Sequence, residues 1–335
     1  MSMKIVAGLG SLDEYIPYVE AGADELFCGY IPESWALKYG MKSPLNRREV
    51  MYYNVQIGSE SEMMILSEMV KRYGVPVTIT FNSLYYLPQQ YPLVLDIMEQ
   101  CAAMGFNSFI IADPALLYYV STNSDMSNIK IHLSGETAEV NHLMLKEFCK
   151  YGINRVIFHR KNSIEDMAQI ISNMKNSNEK LEYEAFVLNE KCHFTGAFCN
   201  SLHCDELAHI CRIPYKLGNL KTESKACDYD KKTHISLCDG CMEDESIIEC
   251  EDDYITGKSG CGLCALWKMR EIGITHLKLV SRGNYVEDTI MDIKQLKNAL
   301  TALDNAMNED DYVCNMKKNL FKDGKCSRNC YYYLS

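Results

Sequence analysis

Ten of the sixteen cysteines fall between residues 192 and 264: Cys192, Cys199, Cys204, Cys211, Cys227, Cys238, Cys241, Cys250, Cys261 and Cys264. Disulfides that staple a whole fold are spread along it, and thiolates are ligands for thiophilic metals, so a concentration of this kind reads as a metal site. Cys238-x2-Cys241, nineteen residues and then Cys261-x2-Cys264 fit the C-x2-C-x15–20-C-x2-C spacing of zinc. Cys238, Cys241, Cys250 and Cys261, or Cys227 in place of the last, are the candidate ligands of a site for zinc or an iron–sulfur cluster. Three more cysteines, Cys314, Cys326 and Cys330, lie near the C-terminus. Cys326-x3-Cys330, followed by three tyrosines, reads either as a further clip or as a tail. Cys28, Cys101 and Cys149 sit in strand or helix patterns and read as small buried hydrophobes.

Other residues could do chemistry at strand ends. His132 is followed by Ser134, Glu136 and Thr137, which either line a site or satisfy backbone groups at the end of their strand. Arg160 and Arg282 close two strands, where two guanidinium groups could clamp a carboxylate bidentately. The bland alternative is a solvated or surface-paired arginine. Glu184 alternates with Phe186, which predicts an inward carboxylate, hence one that is paired or shifted in pKa. Asn82 and Asp113 also close strands; Asp113-Pro114 reads better as a helix start.

These residues need elements to position them, and the chain supplies a regular alternation. Strand-like runs at 4–10, 25–30, 75–83, 108–113, 131–138, 155–160, 182–190 and 276–283 are separated by helical patterns with start and stop signals. Apolar runs of this kind suit parallel strands covered on both faces. Eight such units predict an α/β fold, a (β/α)8 TIM-barrel-like closure with a Cys-rich insertion after strand seven. A doubly wound open sheet is the alternative, but no G-x-G-x-x-G or Walker A loop follows any strand. The barrel then comprises residues 1–190 and 262–308, the Cys-rich metal-binding insertion 191–261, and a C-terminal tail 309–335. An insertion of about 70 residues where 2–6 are usual is a functional feature. It leaves and rejoins the barrel at the C-terminal ends of the strands, where such barrels keep their active sites.

The chain has 335 residues, with 34 Lys+Arg against 45 Asp+Glu, a net charge of −11. This balance disfavours nucleic acid, whose binding rests on cations neutralising phosphates. The acidic run Glu249, Glu251, Asp252 and Asp253 points the same way. No apolar run approaches the roughly 20 residues that span a bilayer, and the N-terminus shows no signal-peptide pattern. The expectation is a cytoplasmic protein with no membrane contact.

Taken in order, AGLGSLDEYIPYVEAGADELFCGY, VPVTITFNSLYYL, FIIADPALL, HLSGETAEVN, EAFVLNEKC and LCALWKMREIGITHLKLVSRGNYV resemble the collagenase-like peptidase U32 family. The resemblance covers most of residues 4–290. It implies a barrel-like core and, as in relatives that serve oxygen-independent hydroxylation, four cysteines around a [4Fe–4S] cluster, one per iron. Carried over by position, those ligands are Cys192, Cys199, Cys211 before Arg212, and Cys264. The sequence departs from the family at Arg160-Lys161, where relatives often have Arg-Glu. It departs again at Lys278, Leu279, Val280, Ser281 and Arg282, where they often have Lys-x-Glu-Gly-Arg. The two missing carboxylates weaken a proteolytic acid–base mechanism.

The resulting expectation is an iron–sulfur enzyme that modifies a small molecule, peptide or nucleobase without O2. Its partner would be a small anionic molecule or a peptide, with His132, Arg160, Glu184 and Arg282 in the site. A metal-dependent peptidase and a metal-bearing scaffold for a partner protein are the competing readings.

Overall fold

The computed structural model describes all residues except 1, 41–42, 48–54, 138–139, 176–179, 190, 193–253, 322–325 and 333–335. Cys199, Cys204, Cys211, Cys227, Cys238, Cys241 and Cys250 therefore lie outside the described residues, as does the acidic run at 249–253.

Eight parallel strands close in sequence order: β1 (Lys4–Leu9), β2 (Glu25–Gly29), β3 (Val77–Phe81), β4 (Ser108–Ile111), β5 (Lys130–Leu133), β6 (Ile153–Ile157), β7 (Glu182–Leu188) and β8 (His276–Leu279). β1 pairs with β8, Lys4 opposite His276, and this pairing seals the barrel. The predicted (β/α)8 closure is the observed one. Helices α1 (Tyr15–Ala21), α2 (Glu33–Tyr39), α3 (Glu60–Tyr73), α4 (Tyr91–Ala103), α5 (Pro114–Asn123), α6 (His142–Cys149), α7 (Ile164–Lys175), α8 (Leu266–Ile272) and α9 (Val286–Asn305) run between or after the strands.

Local chemistry sets several of the boundaries. Ser59 and Glu62 form a reciprocal capping box at the start of α3, and Gly74 ends the helix at φ +75°. Asp113 caps α5 by accepting from the Ala115 N–H at 2.8 Å, with Pro114 in the first turn. Ser11, a natural cap by residue type, makes no capping bond; the Glu14 carboxylate instead accepts from the Gly10 N–H at 2.7 Å. Cys28 and Cys101 are fully buried among the apolar side chains of the core, as small hydrophobes.

The C-terminal region differs from its reading as a plain tail. Asn308 caps a further helix, α10 (Glu309–Leu320), by accepting from the Asp311 N–H at 2.9 Å. Tyr312 and Met316, one turn apart, bury their side chains as α10 packs on α8 and α9.

Candidate active site at the barrel mouth

The interior of the barrel is charged where an ordinary one is aliphatic. On β6, Arg155 donates through Nη1 to Glu184 Oε2 on β7 at 3.0 Å, and its Nη2 lies 2.8 Å from Glu25 Oε2 on β2. Glu25 also meets Lys4 at 3.0 Å and His276 at 3.1 Å. Lys278 on β8 donates to Glu184 Oε1 at 2.8 Å and lies 3.6 Å from the centroid of the Phe27 ring.

Burial alone would raise the Glu184 carboxyl, but Lys278 and Arg155 outweigh it and hold its pKa at about 2. Burial opposes the charge on Arg155 as well; Glu184, Glu25 and Glu182 overcome it and push that pKa upward. Burial also dominates at Lys278 and lowers its pKa, with Glu184 opposing the shift. His132 lies in the same interior, 3% exposed. Burial, reinforced by Arg155, lowers its pKa to about 3, so the ring is neutral at physiological pH.

Above this layer a cavity of about 60 Å³ opens at the C-terminal ends of the strands, room for several waters or one small anionic group. Arg160, Arg282 and Lys278 line it together with Arg47. Thr80, Asn82 and Ser134 supply hydroxyl and amide groups, and Phe27 and Phe186 form aromatic walls. The Arg160 guanidinium lies 4.1 Å from the Phe186 ring centroid and donates to Glu136 at 2.7 Å. Arg47 meets the same carboxylate at 3.6 Å. Four cations face one carboxylate at this rim, although the whole chain is strongly acidic.

Arg282 is 4% exposed and points Nη1 toward Asn46 Oδ1 and Thr80 Oγ1, each at 3.4 Å. Its path exists because two strand residues lack side chains. A Cβ on Gly29 would sit 2.8 Å from Arg282 Nη1, and one on Gly8 2.9 Å from Arg282 Cγ.

The two predicted arginines thus meet at one cavity. Glu184 and His132 lie beneath it, inside the ion network. Thr137 takes the bland reading, donating to the Ala112 carbonyl at 3.0 Å. Arg47, Arg155, Glu25 and His276 were not singled out by type or spacing. The only signal for Arg155 and Glu25 is a charged residue at the start of an apolar strand run.

Among the described residues, Cys192, Cys261 and Cys264 lie at the same end. Past β7, Asn189 and Lys191 pair by backbone with Gly260 and Ser259, at 2.9 and 2.8 Å. Cys192 therefore leaves the barrel beside the segment that leads into Cys261 and Cys264. Asn189 before the insertion and Tyr254 near its far end both donate to Asp292 on α9, which ties the two ends of the insertion together. Burial raises Asp292 to about 6 against those two donors. Among the described residues no three His, Cys, Asp or Glu side chains are grouped as ligands of one ion.

The sequence profile of peptidase family U32 matches residues 10–333. This chain belongs to that family. Among characterised proteins, this U32 chain is similar to the tRNA hydroxylation protein P of Haemophilus influenzae, 24% identical over 196 residues. The match covers 58% of the U32 chain described here and 38% of the length of that relative. Among solved structures, a U32 peptidase is 16% identical with a TM-score of 0.41, covering 57% of this chain and 71% of its own. A 4-hydroxy-tetrahydrodipicolinate synthase from Methylacidiphilum fumariolicum is 9% identical with a TM-score of 0.42, covering 90% and 79%. No helix among the described residues of this U32 protein is long and apolar enough to cross a membrane.

Proposed function

We propose that this U32 protein is an enzyme of oxygen-independent, hydroxylation-type modification whose barrel mouth seats a small carboxylate-bearing co-substrate. The observation that carries the reading is the mouth itself, where Arg160, Arg282, Lys278 and Arg47 surround a small cavity walled by Phe27 and Phe186. Arg282 would bind one carboxylate end-on, its fork held by Asn46 and Thr80. Arg160, stacked on Phe186 and braced by Glu136, would close on it from the opposite wall. The buried network below holds Lys278 in place through Glu184, and the neutral His132 adds no charge beneath the cavity.

The acceptor we favour is a base in RNA, because the curated relative is a tRNA hydroxylation protein. The acidic balance of the chain argues against a broad phosphate-binding face, so contact would be confined to the cationic rim.

A resident [4Fe–4S] cluster would relay electrons at a potential set by its surroundings. The rim fits a thiolate-held group, since Cys192 leaves β7 beside further thiols. Cys192, Cys199 and Cys211 would begin its ligand set, the latter two lying outside the described residues.

The test compares modified nucleosides in total tRNA by mass spectrometry, in cells with the gene deleted and then complemented. A hydroxylated nucleoside should vanish on deletion, return with the wild-type chain and stay absent with Arg282→Ala. An unchanged nucleoside profile would overturn the RNA reading. Anaerobic wild-type protein without iron or sulfide would overturn the cluster.

A further inference from the structure

The arginines at the mouth keep two kinds of company. Arg282 rests on neutral groups, Asn46 Oδ1 and Thr80 Oγ1. Arg160 and Arg47 instead meet at a carboxylate of the chain itself, Glu136, which lines the cavity beside them. Arg160 Nη1 donates to Glu136 Oε1 at 2.7 Å, whereas Arg47 Nε stands 3.6 Å from Glu136 Oε2. The longer distance exceeds a hydrogen bond. Arg47 Nε is buried and has no hydrogen-bond partner among the described residues. Buried donors are nearly always satisfied, so this one marks a place for an acceptor that Glu136 does not fully supply.

The backbones on both sides of this contact are fixed. Just past β5, the Glu136 N–H donates to Ser134 Oγ at 3.2 Å and the Thr137 N–H to the Ser134 carbonyl at 3.1 Å. Gly135 is wedged between them, since a Cβ there would sit 2.8 Å from the Phe158 carbonyl oxygen. On the other side, the Arg47 N–H donates to Asn82 Oδ1 at 3.2 Å, and Tyr86 Oη donates to the Leu45 carbonyl at 2.6 Å. What remains able to move is the Glu136 side chain, 12% exposed and so with a way outward.

We propose that Glu136 is an internal counter-anion, which the carboxylate of the co-substrate displaces from Arg160 and Arg47. The proposal deepens the carboxylate reading of the mouth and rests on it. An arriving anion is held first by Arg282, whose partners there carry no charge. It then competes with Glu136 for the other two guanidinium groups, and the Glu136 side chain turns toward solvent. No covalent bond forms and no proton moves. In the empty site two guanidinium groups gathered at one point would repel each other, and Glu136 offsets that repulsion. It also keeps chloride from settling between them. Displacing it consumes part of the attraction for the ligand, so Glu136 weakens anion binding and eases release. A plain brace for Arg160 would act the other way, because its removal would free the guanidinium and weaken binding. The sign of the effect separates the two roles.

The experiment is calorimetric titration of the full chain with malonate, wild type against Glu136→Gln, Arg160→Gln and the double variant. Glu136→Gln should tighten malonate at least tenfold. In the Arg160→Gln background the same change should gain no more than about threefold, because the two residues act on one interaction. Raising sodium chloride should weaken binding to Glu136→Gln at least threefold more than to wild type, as chloride enters the uncovered site. Should Glu136→Gln fail to fold, Glu136→Asp keeps the charge and draws it back by one methylene; it should tighten malonate at least threefold. Unchanged or weaker binding in the folded variant, or an equal gain without Arg160, would overturn this inference and leave the carboxylate site standing. No malonate binding by either wild type or the Glu136 variant would overturn the site itself, and the inference with it.

Discussion

Lys278 Nζ donates to Glu184 Oε1 across 2.8 Å inside the barrel, from one neighbouring strand to the next, with both side chains almost wholly removed from water. Removing one partner of such a pair leaves a buried charge uncompensated, which costs about 3–5 kcal/mol. Glu184→Gln should therefore lower unfolding stability by that amount in urea titrations. Adding Lys278→Met should recover part of the loss, because the two changes act on one interaction. Strictly additive losses would show that the pair is not coupled.

His132 makes acid destabilising. In the unfolded chain a histidine takes up a proton as pH falls through about 6.5, whereas the folded His132 stays neutral down to about 3. Protons favour the unfolded state across that interval, so the stability tied to the neutral ring is full above about 6.5 and declines as pH drops. Between pH 7 and 5, His132→Gln should lose about 2 kcal/mol less than wild type. Parallel slopes for the two proteins would refute this.

Glu14 acts in the opposite direction. Burial raises its pKa to about 7, against the lowering bonds from Gly10 and Ser11. The folded chain thus holds a proton that the unfolded one has lost, and this contribution fades as pH rises from about 4.5 to 7. The stability of Glu14→Gln relative to wild type should rise between pH 5 and 8, measured by urea midpoints at each pH.

The slot occupied by Arg282 is open to a test that changes no charge. An alanine at position 29 places its methyl group against Arg282 Nη1 and Asn46 Nδ2. Gly29→Ala should weaken malonate binding, read by calorimetry, at least tenfold, comparably to Arg282→Lys. Undiminished binding would remove Arg282 from the anion site.

Tyr332→Phe removes a single buried hydrogen bond to the Phe186 carbonyl and leaves the ring in place. It should cost about 1 kcal/mol, the usual net value, or somewhat more because the carbonyl is buried. Denaturation with urea provides the check.

The barrel was legible because its strands are apolar runs ended by local signals that do not depend on distant partners. VPVTITF follows the stop at Gly74, and Asp113-Pro114 opens α5 where its side chain caps the backbone. The meeting of Arg160 and Arg282 at one cavity was legible for a related reason, as strand ends share one rim in this topology. Arg155 and Glu25 were not. Their meaning lies in which strands face one another across the barrel, β6 and β2, a relation that no single segment carries. Arg47 sits in the irregular stretch after α2, where no periodicity fixes its direction. α10 had a findable signal in Asn308 and the Tyr312–Met316 spacing, obscured by its acidic first turn and its few apolar residues. Cys330 meets Cys261 through a backbone bridge, a contact invisible to the spacing of either residue.

The tyrosines that cover the end of β7 lie 142 and 146 residues downstream of the carbonyls they bond. On the ribosome, strand seven emerges long before Tyr331 and Tyr332 exist, so the corner holding Cys261 and Cys264 stands uncovered while the chain is still being made. Tyr331 and Tyr332 can therefore seal this corner only after translation has passed them, which makes its closure a late step of folding.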